Sequence, residues 1–287
     1  MGLVFAAIAP HGGLALEELA APEDRDVALA TRLGFEELGR RFDAAAPESV
    51  IVLTPHGIHV EGALAVVTSG KLVGELKEGG ARQMRFDPNA GTRSVSLTVP
   101  TDRDLVRRCL DGLNTAALRA VGISYGGNDA ASASFPMDWA VLIPLWFMGG
   151  RRETPVPAVS ISPARDLPFD AHVRAGEALR DAIEAYPRRV ALIASCDHGH
   201  AHDPNGPYGY HPAARQFDSR VVDIVRKNEL EKLLSFEAAF VSDAKADSFW
   251  QMLMLHGALR RDAWRGELLS YEAPTYFGML CAAYAPA

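Results

Sequence analysis

The chain has 287 residues, of which 48% are hydrophobic, 23% charged and 8% aromatic. Its formal charge of -7 arises from 29 Lys and Arg against 36 Asp and Glu, which argues against the broad basic surface that nucleic-acid binding requires. The balance of residue types is that of a globular protein and excludes extensive disorder or a rod-like fold.

Short strand-like runs alternate along the chain with helical patterns. Strands are predicted over residues 3–9, 49–54, 62–68, 94–99, 121–124, 158–162, 189–195 and 273–284. Helices are predicted over residues 24–45, 102–113, 136–148, 171–186, 212–227, 230–236 and 246–259. A charged, glycine-rich segment occupies residues 70–89, and no repeat or linker divides the chain. We therefore predict one α/β domain over residues 1–287, with a central mixed sheet flanked by helices.

The apolar N-terminus lacks a basic region and runs at once into Pro-His-Gly-Gly, which favours a first strand over a signal peptide. The longest apolar stretch elsewhere, residues 139–148, is too short to cross a bilayer and contains Pro144. Three widely spaced cysteines (Cys109, Cys196 and Cys281) form no disulfide framework. These features predict a cytoplasmic protein without a membrane partner.

Histidine is the unusual residue, with nine copies. Three predicted strands lead into histidine segments, which are Pro-His11-Gly-Gly, Pro-His56-Gly-Ile-His59 and Asp-His198-Gly-His200-Ala-His202. In open α/β sheets, sites form beyond the carboxyl ends of the strands, so we expect these imidazoles to converge on a metal site there. Two His and one carboxylate suit non-haem Fe(II). A lone His is more often structural, and we assign that role to His172, His211 and His256.

The order of these motifs resembles the class III extradiol ring-cleavage dioxygenases, the LigB-type superfamily that includes protocatechuate 4,5-dioxygenase and homoprotocatechuate 2,3-dioxygenase. The similarity covers almost the whole chain. Residues 137–145, Met-Asp-Trp-Ala-Val-Leu-Ile-Pro-Leu, are similar to the family's Leu-Asp-His-Gly-x-x-Val-Pro-Leu box. Residues 190–195 lead into the family's catalytic-histidine segment, and residues 246–259 resemble the helix that opens with its metal-binding acid.

The resemblance implies that His11 and His56 bind the metal and that His200 is the acid–base catalyst. His198, two residues away, is the rival for that role. His202 and His59 are expected near the substrate.

The chain departs from the family pattern at two places. Trp139 replaces the His of the Asp-His-Gly box; it cannot transfer protons, and it is either a substrate-pocket contact or a core residue. No Glu opens the late helix, so Asp247 is the expected third ligand, with Asp243 and Glu272 as competitors.

The resemblance implies an Fe(II)-dependent enzyme that cleaves a catechol-type or 2-aminophenol-type ring and incorporates both atoms of O2. A nearby His would act first as base and then as acid. Zn or Mn are the alternative metals. A Memo-like metal-binding protein without dioxygenase activity and a zinc hydrolase are the alternative functions.

The expected partners are a small aromatic substrate, O2 and further copies of the chain in a homo-oligomer. Arg215 and Arg220 are either carboxylate partners or surface residues, and loops 126–134 and 204–210 either line the pocket or lie on the surface.

Overall fold

The computed structural model describes residues 2–20, 24, 26–77 and 93–287. The strands are β1 Leu3–Ala9, β2 Ser49–Leu53, β3 Leu64–Val67, β4 Lys71–Lys77, β5 Ser94–Pro100, β6 Ala120–Ile123, β7 Ser134–Pro136, β8 Ala158–Ser162, β9 Val190–Ser195, β10 Trp264–Glu272 and β11 Met279–Pro286. The α-helices are α1 Leu29–Ala45, α2 Arg103–Thr115, α3 Trp139–Phe147, α4 Phe169–Glu184, α5 Pro212–Lys227, α6 Ala238–Asp243 and α7 Phe249–Leu259.

Eight strands form the central mixed sheet in the order β10-β11-β1-β9-β2-β8-β3-β6. Its middle strands β1, β9, β2 and β8 are parallel, while β11 runs antiparallel to β1 and β3 antiparallel to β8. A small sheet, β5-β4-β7, lies apart from it. The predicted α/β class with a mixed sheet flanked by helices is confirmed.

Two apolar layers cover the faces of the sheet. Strand side chains alternate between them, so Ala6 and Ile8 pack in one layer and Phe5 and Ala7 in the other. Helices α2, α4, α5 and α7 contribute to the first layer, and α1, α3 and the small sheet to the second. Because both faces are covered, the middle strands are largely apolar, with Ser160 of β8 as an interior exception, and the ionisable side chains lie beyond their ends.

Some predicted boundaries were wrong. Residues 264–272 and 279–286 form a hairpin of two strands, where the sequence predicted one strand over 273–284. The predicted helix over 136–148 begins at Trp139, after β7, and the helix over 24–45 begins at Leu29. In the glycine-rich segment 70–89, residues 71–77 form β4; residues 78–89 lie outside the described residues, as does residue 25 of the predicted first helix. No helix of the described residues is long and apolar enough to cross a membrane.

Candidate metal centre

Three adjacent strand ends bring ionisable side chains together. In the sheet register, Ala9 of β1 lies opposite Ser195 of β9, and Leu53 of β2 lies opposite Ala194. His11 and Asp197 follow two residues beyond Ala9 and Ser195, and His56 follows three beyond Leu53. Because parallel neighbours end at one edge of the sheet, these three side chains meet there.

Asp247 reaches the same point from the opposite end of the chain. It lies two residues before α7. The side-chain amide of Gln251 donates to the backbone oxygen of Asp247 at 3.2 Å and to that of Ser195 at 3.3 Å. The start of α7 is thereby attached to the end of β9, which places the Asp247 carboxylate beside the histidines.

The ligand atoms of His11, His56 and Asp247 face one another. His11 Nε2 and His56 Nε2 are 3.2 Å apart, and Asp247 Oδ2 lies 3.5 Å from the first and 3.2 Å from the second. Two ligands bound at 2.0–2.2 Å to one metal ion lie about 3.0–3.5 Å apart in common geometries. Among the described residues, neither carboxylate oxygen of Asp247 has a hydrogen-bond partner, although both are buried. A buried, unsatisfied carboxylate facing two imidazoles fits a bound cation.

Burial and neighbouring charges keep His11 neutral and Asp247 ionised. Burial lowers the pKa of His11 to about 4, although Asp247 raises it, so the imidazole is neutral near pH 7. Burial raises the pKa of Asp247, but the facing imidazoles of His200, His11 and His56 outweigh this and hold it well below its usual range. A neutral imidazole and an ionised carboxylate are the forms that bind a metal.

Asp197 was missed by the sequence analysis. Its Oδ1 accepts the backbone N–H of His11 at 2.9 Å, and its Oδ2 lies 3.4 Å from His11 Nε2. Burial and the charge of Asp247 raise the pKa of this carboxyl well above its usual range. The spacing offered a signal for it. Asp197 lies two residues after the end of β9, just as His11 lies two residues after the end of β1.

His200 presents one ring nitrogen to the centre. Its Nδ1 lies 2.7 Å from the backbone oxygen of His198, which can only accept, so Nδ1 carries the proton in the neutral ring. Nε2 is therefore a free lone pair, and it lies 3.8 Å from Asp247 Oδ2. The ring is stacked on Phe277, with centroids 5.3 Å apart. The ring is therefore held with Nε2 facing the group formed by His11, His56 and Asp247.

The other predicted catalytic and pocket histidines lie in three different settings. His198 is fully buried behind the centre, with Nδ1 3.4 Å from Ser248 Oγ. His202 Nε2 is 2.8 Å from a carboxylate oxygen of Asp218, and neither His198 nor His202 is among the residues that line the main cavity. His59 lines that cavity, and burial followed by the charge of Arg165 lowers its pKa.

Neither competitor for the third ligand lies in the cluster. Glu272 Oε1 accepts the backbone N–H of Thr31 at 2.6 Å and its hydroxyl at 2.7 Å. Asp243 is exposed at the end of α6. The group of potential ligands found among the described residues is His11, His56 and Asp247.

The triad opens into a cavity of about 1200 Å³. Aromatic side chains form much of its wall, including Trp139, Phe169 and Phe277. Tyr208 of the predicted pocket loop 204–210 lines it, whereas no residue of loop 126–134 does. Arg215 and Arg220 line a separate shallow groove on α5.

Comparison with known proteins identifies the family. The model of the catalytic LigB subunit of aromatic ring-opening dioxygenase matches residues 5–280. The chain belongs to the LigB family. The resemblance seen in the sequence is thereby confirmed, and with it a dioxygenase-like superfamily membership.

Two proteins are similar to this LigB-family chain over most of its length, one in sequence and one in fold. Protein CA_C1420 of Clostridium acetobutylicum is 24% identical over 264 residues, which cover 92% of this chain and 53% of that protein. The chain thus spans about half the length of that curated relative. The crystal structure of uncharacterized protein JW3007 from Escherichia coli K12 superposes with a TM-score of 0.58 at 16% identity, covering 98% of this chain and 99% of the other. That likeness shows the fold.

The LigB-type box at residues 137–145 supports His56. Asp138 caps α3, and its Oδ1 accepts the N–H of Val141 at 3.1 Å and the hydroxyl of Thr54 at 3.0 Å. Thr54 lies two residues before His56, so the cap ties α3 to the end of β2. The next box residue, Trp139, packs against the His56 ring with centroids 4.3 Å apart. Trp139 therefore restrains a proposed ligand and also forms cavity wall.

Proposed function

We propose that this LigB-family protein is an Fe(II)-dependent extradiol dioxygenase that opens a catechol-type or 2-aminophenol-type ring with O2. The observation that carries the proposal is the facing set of His11 Nε2, His56 Nε2 and the unsatisfied Asp247 carboxylate. Two His and one carboxylate that leave other positions open are the ligand set of non-haem Fe(II) oxygenases, and the LigB family membership favours that use over a zinc site.

His11, His56 and Asp247 would hold the metal, which when bound would bind the two ortho heteroatoms of the ring and activate O2. The chain's own residues would then orient the ring and move protons. The aromatic wall at Trp139 and Phe277 would hold the substrate ring by apolar contact. His200 Nε2, whose lone pair faces the centre, would accept a phenolic proton from the substrate and later donate a proton at the same place.

Metal binding and catalysis are tested separately. Protein loaded with Fe(II) under argon is analysed for metal and then mixed with O2 and a panel of catechols and 2-aminophenols while oxygen uptake is followed. We expect about one iron per chain and oxygen consumption with at least one compound. Parallel loading with Zn and Mn tests the alternative metals. Iron-loaded protein that consumes no oxygen with any compound would overturn the dioxygenase proposal.

Single variants test the assigned roles. His11→Ala should lose iron, whereas His200→Ala should keep iron and lose turnover by about 100-fold or more. His211→Ala is the matched control, because His211 lies away from the cavity; its ring accepts the Ala213 N–H at the start of α5, so this variant should lose some stability but neither iron nor turnover. Loss of iron from His200→Ala would contradict the base assignment. The homo-oligomeric state and the cytoplasmic location stay predictions. Light scattering would measure the oligomeric state.

A further inference from the structure

The eight-stranded sheet ends in two strands that each have one open side. Strands β10 and β6 are the first and last in the sheet order, and among the described residues β10 pairs only with β11 and β6 only with β3. Backbone N–H and C=O groups along such an open edge can pair with a strand of another chain, including a second copy of the same protein. What occupies these groups therefore decides whether the sheet can grow by self-association.

Asn228 occupies part of the open side of β10. Its Nδ2 donates to the backbone oxygen of Trp264 at 2.7 Å, and its Oδ1 accepts the N–H of Gly266 at 3.1 Å. Because backbone groups two residues apart in a strand point to the same side, one side-chain amide can bind both. A side-chain amide offers the same N–H and C=O as a peptide unit, so Asn228 takes the place that a residue of a further strand would have.

Asn114 does the same at β6. Its Oδ1 accepts the N–H of Ala120 at 3.1 Å, and its Nδ2 donates to the oxygen of Ala120 at 3.2 Å. The N–H of Leu64 in β3 binds the oxygen of the preceding residue, Arg119, at 2.9 Å, so the groups of Ala120 face the other, open side. A bond from Asn114 Nδ2 to the Leu110 oxygen at 2.8 Å, one turn earlier in α2, holds the amide in place.

Other features of the two strands also oppose pairing. Strand β6 has only 4 residues, and in β10 the exposed charged residues Arg265 and Glu267 lie on either side of Gly266. Short edge strands and charged side chains are common means by which proteins prevent edge-to-edge pairing. Each edge of this sheet therefore carries such a feature together with an asparagine amide bound to a donor and an acceptor of the strand.

We propose that Asn114 and Asn228 are edge caps that prevent the central sheet from pairing with the sheet of a second copy of this chain. The inference does not depend on the proposed dioxygenase function. It implies that the predicted homo-oligomer is built through other surfaces of the chain. The competing explanation is that the two amides only fasten α2 and α5 to the sheet, in which case their loss would lower stability without changing the state of association.

Two substitutions remove the amides and leave the helices that carry them intact. Asn228 ends α5 in the left-handed conformation with φ of 56°, which glycine adopts without strain, so Asn228→Gly keeps the end of that helix. Asn114 lies in the last turn of α2, where alanine is the better helix former, so Asn114→Ala does not weaken α2 itself. Asn205→Ala, a change at an exposed asparagine in loop 204–210, is the matched control.

Amide hydrogen exchange followed by NMR and sedimentation velocity are the two measurements. We expect the Gly266 amide to exchange about tenfold or more faster in Asn228→Gly, and the Ala120 amide likewise in Asn114→Ala, the effect of losing one hydrogen bond. The double variant should form larger species whose fraction rises with protein concentration, whereas the wild type and Asn205→Ala keep one sedimentation coefficient. In the larger species the exchange of both amides should slow again, because strand pairing gives them new acceptors.

Faster exchange in a double variant that keeps the association state of the wild type would overturn the edge-cap proposal in favour of the fastening role. Association without slowed exchange at Gly266 and Ala120 would also overturn it, because the contact would then lie elsewhere. Exchange rates that neither substitution changes would show that the amides do not hold the edges. If the double variant does not fold, the single variants are measured in the same way, each for its own edge.

Discussion

Two glycines allow helices α4 and α7 to touch. A Cβ atom at Gly176 of α4 would lie 1.9 Å from the backbone oxygen of Met254, and one at Gly257 of α7 would lie 2.0 Å from that of Val173. Cβ atoms essentially never come within 3.0 Å of such an atom. Gly176→Ala or Gly257→Ala must therefore move one helix away from the other by about 1 Å.

The change in the free energy of unfolding has two opposing contributions, the overpacking of the core and the higher helix propensity of alanine. Forcing an extra methyl group into a packed core costs about 1–3 kcal/mol. The cost is at the upper end of that range here, because the methyl group clashes with backbone oxygens, which cannot rotate away as a side chain can. Alanine regains about 1 kcal/mol over glycine within a helix. The net loss is about 2 kcal/mol for either variant. At about 2.1 cal/mol/K of unfolding entropy per residue, a chain of 287 residues would lose about 3 °C of Tm.

Calorimetry or circular dichroism of purified protein gives the test. A single displacement of α7 relieves both contacts, so the double variant should lose clearly less than the sum of the two single losses. The control is Gly112→Ala in α2, where the added Cβ would lie 3.3 Å from the Ala178 oxygen; its Tm should be unchanged or slightly higher. Single variants as stable as the wild type, or strictly additive losses, would refute the reasoning.

Three further predictions concern residues that hold the site or its surroundings. Asp218 accepts hydrogen bonds from Gly199 N–H and from His202, on either side of the proposed base His200, and Asp218→Asn weakens them. We expect kcat, measured by oxygen uptake, to fall about tenfold, while the iron content found by metal analysis is unchanged. Tyr186→Phe removes a hydroxyl that donates to both oxygens of buried Asp102, and denaturant titration should show a loss of about 1–3 kcal/mol. Trp139→Ala frees the His56 ring and should weaken iron binding about tenfold, whereas Trp139→Phe should keep it; equal affinities would contradict the packing role.

Sequence periodicity predicted the middle of the fold well and its edges poorly. The parallel strands β1, β2, β8 and β9 are mostly apolar because both faces of the sheet are covered, and such runs are conspicuous in a sequence. The edge strand Trp264–Glu272 is partly exposed and includes Arg265, Glu267 and Ser270, so no apolar run marks it. Likewise β4 alternates buried and exposed residues within a charged segment.

The predicted ligands His11 and His56 stood out because each follows an apolar strand directly. Asp247 lies beside them in the structure, although its sequence segment does not distinguish a metal ligand from a helix cap. Its position depends on the hydrogen bond from the Gln251 side chain to Ser195 of β9, which a sequence pattern does not show.

The triad takes its first member from the first strand and its last from the segment before the final helix. A ribosome adds about 5–20 residues per second, so His11 is made about 10 to 50 s before Asp247. During that interval the nascent chain has two of the three donors and lacks the one that carries negative charge. If these three residues bind the metal, capture by all of them has to follow synthesis of residue 247, which makes metal loading a late step and not a part of early folding.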